Sequence, residues 1–504
     1  MATTTDNPKP GKKPKEDFYS SVRWSAFSKY GAQGMQFVIS MVLARLLAPE
    51  YFGLLGMATV ITGFVKVFKS FGFSSAIVQR KNVSDNLLST LFWVNLGVCL
   101  LVAAVVLGIA PLAAWMYDDP RVMPIVAVLS INFVFAGFTM IPAALLQRRM
   151  EFKKLAIREI GGVLAAGLTA IPLAWMGWGV WALVGSSLAS SFAQMILINL
   201  AVPYRPQMVF DRQGLNECLK FGLNITGFNI FNYFSRNADN LVIGLFLGPV
   251  ALGYYSLAYK LMLLPRDSVS KVLARVLFPK LSKLQDNDER LADVYLRATG
   301  AIAFVTFPMM AGLAVLAEPF VQVVLGERWL PAVPLIQLLA PVGALQSVAA
   351  TGGNVFLAKG RSDLMFRWGV VQGTLRTIAF FVSAPFGVAA LAAAYAVTAI
   401  LFAPTSVIII CTLVQPLTLA RITKALRPSM LYATATFISI TLIDVAINQL
   451  FHLTPFWRLA LLSLAGASTY VLTSLMSGHP VASDFAKLIH PRLGKHLIPT
   501  PPQG

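Results

Sequence analysis

Stretches of about 20 apolar residues follow one another along this chain almost without a break. Such a segment crosses the hydrocarbon core of a bilayer when it is helical, and lipid offers no partner for a free backbone N–H or C=O. The pattern therefore predicts an all-α integral membrane protein. We place fourteen spans, at 22–47, 51–78, 87–113, 122–146, 156–176, 179–202, 217–247, 250–278, 295–317, 332–357, 364–386, 388–414, 428–450 and 456–477. Composition agrees: of 504 residues 57% are apolar and only 12% charged, and the mean hydropathy is +0.69. A soluble chain would carry about a quarter charged residues. A soluble enzyme, a disordered scaffold and a nucleic-acid-binding domain are thereby excluded, in spite of a net charge of +19.

The basic residues test the number of spans. Cytoplasmic loops collect Lys and Arg. Taking alternate connections from the N-terminal tail, one set holds 29 basic residues and the other only Arg45, Arg121, Arg328 and Arg458. A wrong number of spans would scramble that alternation, so both termini are expected in the cytoplasm. Residues 1–20, with Lys9, Lys12, Lys13 and Lys15 among Pro and Gly, read as a disordered basic tail rather than a signal peptide. Residues 478–504 form a second cytoplasmic tail. Cys99, Cys218 and Cys411 are too far apart in sequence to suggest a metal or disulfide framework.

The first and seventh spans are alike at an offset of 200 residues. Around Pro49 the chain reads ARLLAPEYFGLLGMA, and around Pro249 it reads GLFLGPVALGYYSLA. Val42, Leu47, Pro49, Gly53 and Ala58 match Val242, Leu247, Pro249, Gly253 and Ala258. Six spans separate the copies, so both would enter the membrane in the same direction, a parallel repeat. The expected organisation is an N-lobe at 21–202, a cytoplasmic linker at 203–216, a C-lobe at 217–415 and two further helices within 428–477.

Eight basic residues lie inside or at the ends of spans. Arg23, at the membrane edge, reads as an interfacial anchor. The other seven are Lys29, Lys66, Lys69, Arg236, Lys260, Arg266 and Arg376, against Asp239 and Asp444. A charge at bilayer depth costs about 2.5–3.5 kcal/mol on insertion scales, so it faces a cavity or a partner. The excess of positive charge points to an anionic ligand. Helical spacing sharpens the picture. Lys29, Gln33, Gln36 and Ser40 share one face of the first span, and Asn229, Asn232, Arg236 and Asn240 one face of the seventh. Thr59, Thr62, Lys66 and Lys69 share a face of the second, and Tyr259, Lys260 and Arg266 lie on the eighth. Candidate substrate-binding residues are thus Lys29, Gln36, Lys66, Lys69, Asn229, Asn232, Arg236, Lys260, Arg266 and Arg376, lining a shared central cavity. Plainer readings stand beside these. Lys69 and Arg266 could snorkel to the interface, and Arg376, with Gln372 one turn earlier, could bridge helices. Asp239 is read as an ion-pair partner of Arg236 or a coupling-ion site, and Asp444 and Asn448 as hydrogen-bonding glue between helices.

Three passages carry a resemblance: RWSAFSKYGAQGMQFVISMVLARLLAPEYFGLLGMATVI, FGFSSAIVQR, and PAALLQRRMEFKKLAIREI after the fourth span. Together with the six, six and two arrangement they resemble Wzx-type polysaccharide flippases of the multidrug/oligosaccharidyl-lipid/polysaccharide exporter superfamily, in the colanic and teichuronic acid branch. The likeness runs over roughly 20–415 and weakens afterwards. It implies a flippase in the bacterial inner membrane. Such a protein moves an undecaprenyl-pyrophosphate-linked oligosaccharide from the cytoplasmic to the periplasmic leaflet, by alternating access of two lobes around a cationic cavity. A polysaccharide polymerase and chain-length proteins of an exopolysaccharide or lipopolysaccharide pathway are the implied partners.

No phosphate-binding GxxxxGK[ST] loop occurs, nor an HExxH motif, a Cys/His cluster or paired catalytic carboxylates. No cofactor, metal or catalytic residue is expected, and the sequence does not choose between an H⁺ gradient, a Na⁺ gradient and neither. Two alternatives remain at this stage. One is a cation-coupled multidrug exporter of the same superfamily, for which acidic cavity residues would be expected. The other is an integral-membrane glycosyltransferase or polymerase, for which a large loop with catalytic acids or His would be expected.

Overall fold

A computed structural model describes residues 14–66, 77, 83–202, 204–450 and 453–477, with side chains described throughout except at 14–29, 64–66, 213–214, 216–232, 271–272 and 275. Every regular element among them is helical. The first group is α1 (Pro14–Leu46), α2 (Pro49–Lys66), α3 (Asp85–Tyr117), α4 (Val122–Leu129), α5 (Ile131–Arg148), α6 (Phe152–Trp175) and α7 (Val180–Ala201). Next comes α8 (Arg212–Pro265), continued by a π-helical turn (Arg266–Ser270) into α9 (Lys271–Ser282). Then follow α10 (Asp288–Val315), α11 (Ala317–Phe320), α12 (Val333–Ala358), α13 (Ser362–Ser383), α14 (Val388–Leu413), α15 (Leu419–Leu450) and α16 (Pro455–Met476), with a second π-helical turn at Val321–Leu325 and 3-10 turns at Glu327–Ala332 and Ala384–Phe386. Ten helical stretches among the described residues are long and apolar enough to cross a membrane.

The ends of these helices follow from local chemistry. Ser84 caps α3 by accepting the Leu87 N–H at 3.2 Å. Pro49 opens α2, where the fixed φ of proline suits a first turn and its missing N–H costs nothing. Pro249 does the same within α8, directly after Gly248, whose φ of 80° and ψ of −178° break that helix in two. Such a conformation is open to glycine and strained for any side chain.

The described residues divide into two compact units. The first takes in residues up to Leu47 and those from Ala58 to Tyr233. Its core joins α3, α5 and α7 through Leu88, Leu91, Phe92, Ile141, Leu146 and Ile198, with Leu215 from the start of α8. Small residues let the helices approach, as is usual where apolar lipid gives no hydrophobic drive to pack. A Cβ on Gly167 of α6 would lie 2.7 Å from the Ile39 side chain of α1. The Asn95 amide of α3 reaches the buried Gly137 carbonyl of α5 at 3.1 Å. Much of the expected linker is bound to this unit. The Ser89 hydroxyl meets the Tyr204 hydroxyl at 3.1 Å and accepts the Gln207 N–H at 3.1 Å. Thr90 accepts the Asp211 N–H at 2.8 Å. The boundary between the two units falls after Tyr233, inside α8.

The second unit takes in Ala48–Met57 and the chain from Phe234 onwards. Hydroxyl pairs join its helices: Thr306 of α10 to Ser347 of α12 at 2.8 Å, and Thr299 to Thr351 at 3.3 Å. Phe304 of α10 packs on Tyr432 of α15 and Tyr470 of α16. Arg458 of α16 forks onto both carboxylate oxygens of Asp444 at 2.6 and 2.9 Å and reaches Glu318 of α11 at 3.3 Å. These contacts fasten the last two helices to this unit. Asp444 thus joins helices through Arg458, whereas Asn448 is exposed.

The two matched turns of the repeat lie against each other in this unit. A Cβ on Gly53 would sit 1.7 Å from the Pro249 carbonyl oxygen, and one on Gly253 would sit 2.0 Å from the Pro49 carbonyl oxygen. Trp329, fully buried, stands edge-on to Phe52 (5.2 Å between ring centres) and to Tyr254 (6.0 Å) beside that crossing. Backbone, not a flexible side chain, blocks both positions. Gly53→Ala and Gly253→Ala should each cost about 1–3 kcal/mol by overpacking. The melting temperature in detergent should fall by several degrees, whereas Gly108→Ala, with open space around it, should not lower it. Wild-type melting of both crossing variants would show that the turns do not pack this closely.

Candidate functional site

Of the polar stripe on α1, Gln36 is exposed, and Ser40 is buried with its hydroxyl returned to the Gln36 carbonyl at 2.7 Å. Thr62 of α2 likewise donates to the Ala58 carbonyl at 3.0 Å. Such back-bonding satisfies a buried hydroxyl within its own helix. Lys29, Lys66, Asn229 and Asn232 lie on helices, but their side chains are outside the described residues, and Lys69 is outside them altogether.

The second unit holds the remaining charges. Arg236 of α8 is exposed and makes no ion pair with Asp239. The expected pairing is corrected: Asp239 is turned inward, 3% exposed, and accepts the Tyr255 hydroxyl and the Asn240 N–H, each at 2.8 Å. The cause is the break at Gly248. It folds residues 249–265 back along the helix before it, so that Tyr255, sixteen residues on, meets Asp239. The cation that acts electrostatically on Asp239 is Arg376 of α13.

Tyr255 begins an aromatic ladder. Its ring stacks on Tyr259 at 5.8 Å, and Tyr259 stacks on Tyr395 of α14 at 6.1 Å. Phe380 of α13 stands edge-on to Tyr395 at 5.6 Å. The Arg376 guanidinium lies over the Tyr395 ring at 5.1 Å and over Phe402 at 5.9 Å, a cation–π arrangement that leaves its N–H groups open to other acceptors. One turn earlier Gln372 donates to the Ser406 hydroxyl of α14 at 2.8 Å. Arg376 and Gln372 therefore bridge α13 and α14. Arg266, at the head of the π-helical turn, donates to the Gln346 side-chain oxygen of α12 at 3.0 Å, and the Gln346 amide donates in turn to the Tyr395 hydroxyl. The Nε atoms of both Arg266 and Arg376 are buried without a partner. Lys260 is exposed on α8.

Arg266, Arg376 and Asp239 are thus brought together through Tyr255, Tyr259, Tyr395 and Gln346. Three of those four connectors, Tyr255, Tyr395 and Gln346, were not singled out from sequence. Gln346 carried a usable signal, an amide near the middle of an apolar span. The tyrosines did not, because an aromatic residue in a spanning helix is ordinary. Among the described residues no group of three or more His, Cys, Asp or Glu could hold a metal ion.

Residues 42–334 match the family described as polysaccharide biosynthesis protein. The chain is 32% identical to the lipopolysaccharide biosynthesis protein WzxC of Escherichia coli (strain K12), over 71% of this chain and 73% of that protein. It is 30% identical to the teichuronic acid biosynthesis protein TuaB of Bacillus subtilis (strain 168), over 69% and 73%. Its fold is similar to that of the lipid II flippase MurJ in an inward closed conformation, with a TM-score of 0.73 over 92% of this chain and 99% of that one. Sequence identity there is 14%, so that likeness is one of fold.

The inward turn of Asp239 can be checked by stability. Tyr255→Phe removes its side-chain donor, and a buried acceptor left unpaired costs about 1–3 kcal/mol, more when charged. The variant should melt several degrees lower, and the loss should shrink in an Asp239→Asn background. Equal losses in both backgrounds would place the cost elsewhere.

Proposed function

Since the chain belongs to the polysaccharide biosynthesis protein family, we propose that it is a flippase for a lipid-linked oligosaccharide. It moves a saccharide carried on undecaprenyl pyrophosphate from the cytoplasmic to the periplasmic leaflet of the bacterial inner membrane, as a transporter rather than an enzyme. The observation that carries this reading is an excess of basic over acidic side chains on apolar helices, in which Asp239 is the acid that acts on Arg376. Among the described residues Arg236 has no ion pair, Arg376 rests on aromatic faces, and Arg266 spends one N–H group on an amide. Charge held this way in a membrane segment is costly. It becomes favourable when an anion such as a diphosphate supplies the missing counter-charge.

The finer layout belongs to the same proposal. Fourteen spans form six, six and two, with both termini in the cytoplasm and the turns at 176–179 and 384–388 in the periplasm. Lys29, Gln36, Lys66, Lys69, Asn229, Asn232 and Lys260 join the three arginines along the substrate path. A conformational cycle presents these groups to the cytoplasmic and then the periplasmic face. Asp239, saturated by Tyr255 and Asn240, serves as a fixed counter-charge rather than as the ligand of a coupling ion. A polymerase and chain-length proteins of the same pathway receive the product.

Two experiments test this. Lys66→Ala and Arg236→Ala should abolish polymer export at wild-type protein levels in the membrane. Arg236→Lys should retain part of the activity, because an ammonium keeps the charge but loses the planar fork of donors. Normal export from both alanine variants would remove these residues from the path. For topology, single cysteines at Gly177 and Pro385 in a Cys-free variant should react with a membrane-impermeant maleimide from the periplasm. Reaction only from the cytoplasm would overturn the fourteen-span layout.

A further inference from the structure

Tyr395 is the point at which the two inward arginines of the second unit converge. Its hydroxyl accepts the Gln346 amide, whose oxygen accepts Arg266 at 3.0 Å. Its face carries the Arg376 guanidinium at 5.1 Å. The residue is 4% exposed, stacked on Tyr259 and edge-on to Phe380. Gln346 has only one orientation that serves both neighbours: its oxygen must face the guanidinium, which has donors only, and its NH₂ must face the tyrosine oxygen. Arg266 itself stands in a π-helical turn, a local widening that recurs at functional sites.

We infer that Tyr395 is a positioning residue for substrate recognition, holding the Arg266 and Arg376 guanidinium groups at a fixed separation so that together they receive the diphosphate linker of the lipid-linked saccharide. The inference rests on the flippase reading above and adds to it which contacts preorganise the charge. An untethered arginine head samples many rotamers, and ordering it on binding weakens affinity. Here the ordering is done in advance. Arg266 is held through one amide, and Arg376 is held by a ring that takes none of its N–H donors.

The test is a pair of double-mutant cycles on the full-length protein in nanodiscs. The probe is undecaprenyl pyrophosphate carrying one fluorescently labelled sugar, titrated for half-saturation, with inorganic pyrophosphate as competitor. Arg266→Ala and Arg376→Ala should each weaken binding about tenfold, and Gln346→Met and Tyr395→Phe several-fold. In the Arg266→Ala background, Gln346→Met and Tyr395→Phe should each add less than about twofold, because residues acting through one another are not additive. Tyr395→Phe keeps the ring under Arg376, whereas Tyr395→Leu removes it. The difference between these two variants should be about threefold in the wild-type background and vanish in the Arg376→Ala background. Factors that multiply independently in both cycles would overturn the positioning role while leaving the flippase reading intact. Unchanged binding in Arg266→Ala and Arg376→Ala would instead remove both arginines from the site, and the positioning role with them. If a Tyr395 variant fails to fold, the Gln346→Met cycle alone decides, since that side chain is only partly buried.

Discussion

Gly53 and Gly253 each leave out a side chain so that the carbonyl of the other copy's proline can lie in its place. This reciprocal crossing brings two backbones into direct contact in the second unit, and much around it depends on it. Pro49 and Pro249 start helices there, the break at Gly248 follows from the same turn, and Trp329 is sealed beside it by Phe52 and Tyr254. Within a membrane, helices gain nothing hydrophobic by leaving lipid for one another. Close van der Waals contact between small residues is what holds them. A methyl group on either glycine would act against carbonyl oxygen, which cannot be repacked as a flexible side chain can.

The same break decides the fate of the charges. By reversing the chain at Gly248, it lays residues 249–265 beside the helix that carries Asp239, and the Tyr255 hydroxyl becomes the partner of that carboxylate. Arg236, on the same helix, remains exposed. Acid and base that look like a pair in sequence are thereby separated into a satisfied interior group and an uncompensated outer one. Interior hydroxyls are treated in the opposite way. Ser40 and Thr62 close onto their own helices, and Thr306 meets Ser347 across a helix pair, so none of these is left without a partner.

The sequence reading and the structure agree best where the signal is local. The expected spans at 87–113 and 179–202 appear as helices Asp85–Tyr117 and Val180–Ala201, because apolar length and the caps at Ser84 and Gly179 are written in neighbouring residues. Arg266 and Arg376 were singled out as candidates by their depth in apolar segments. Their surroundings were not legible there. Gln346 lies 80 residues from Arg266 and 49 from Tyr395, and no periodicity connects positions so far apart. Asp444 was read as glue between helices and does join them, but its partner, Arg458, had been assigned to a connection and not to a span.

The amino-acid sequence by itself determined that this chain is helical and membrane-embedded, where its helices turn, and that the charge within its apolar segments is mainly positive. Each of these follows from hydropathy over about 20 residues, or from the backbone limits of Pro and Gly. Only the tertiary structure decided which polar groups meet. It gave Asp239 to Tyr255 rather than to Arg236, set Arg376 on the face of Tyr395, and tied Arg266 to the same residue through Gln346. The reason is that a hydrogen bond or a cation–π contact requires atoms within a few ångströms. In this chain that proximity comes from helices folding back on one another, and spacing along a single helix does not reveal it.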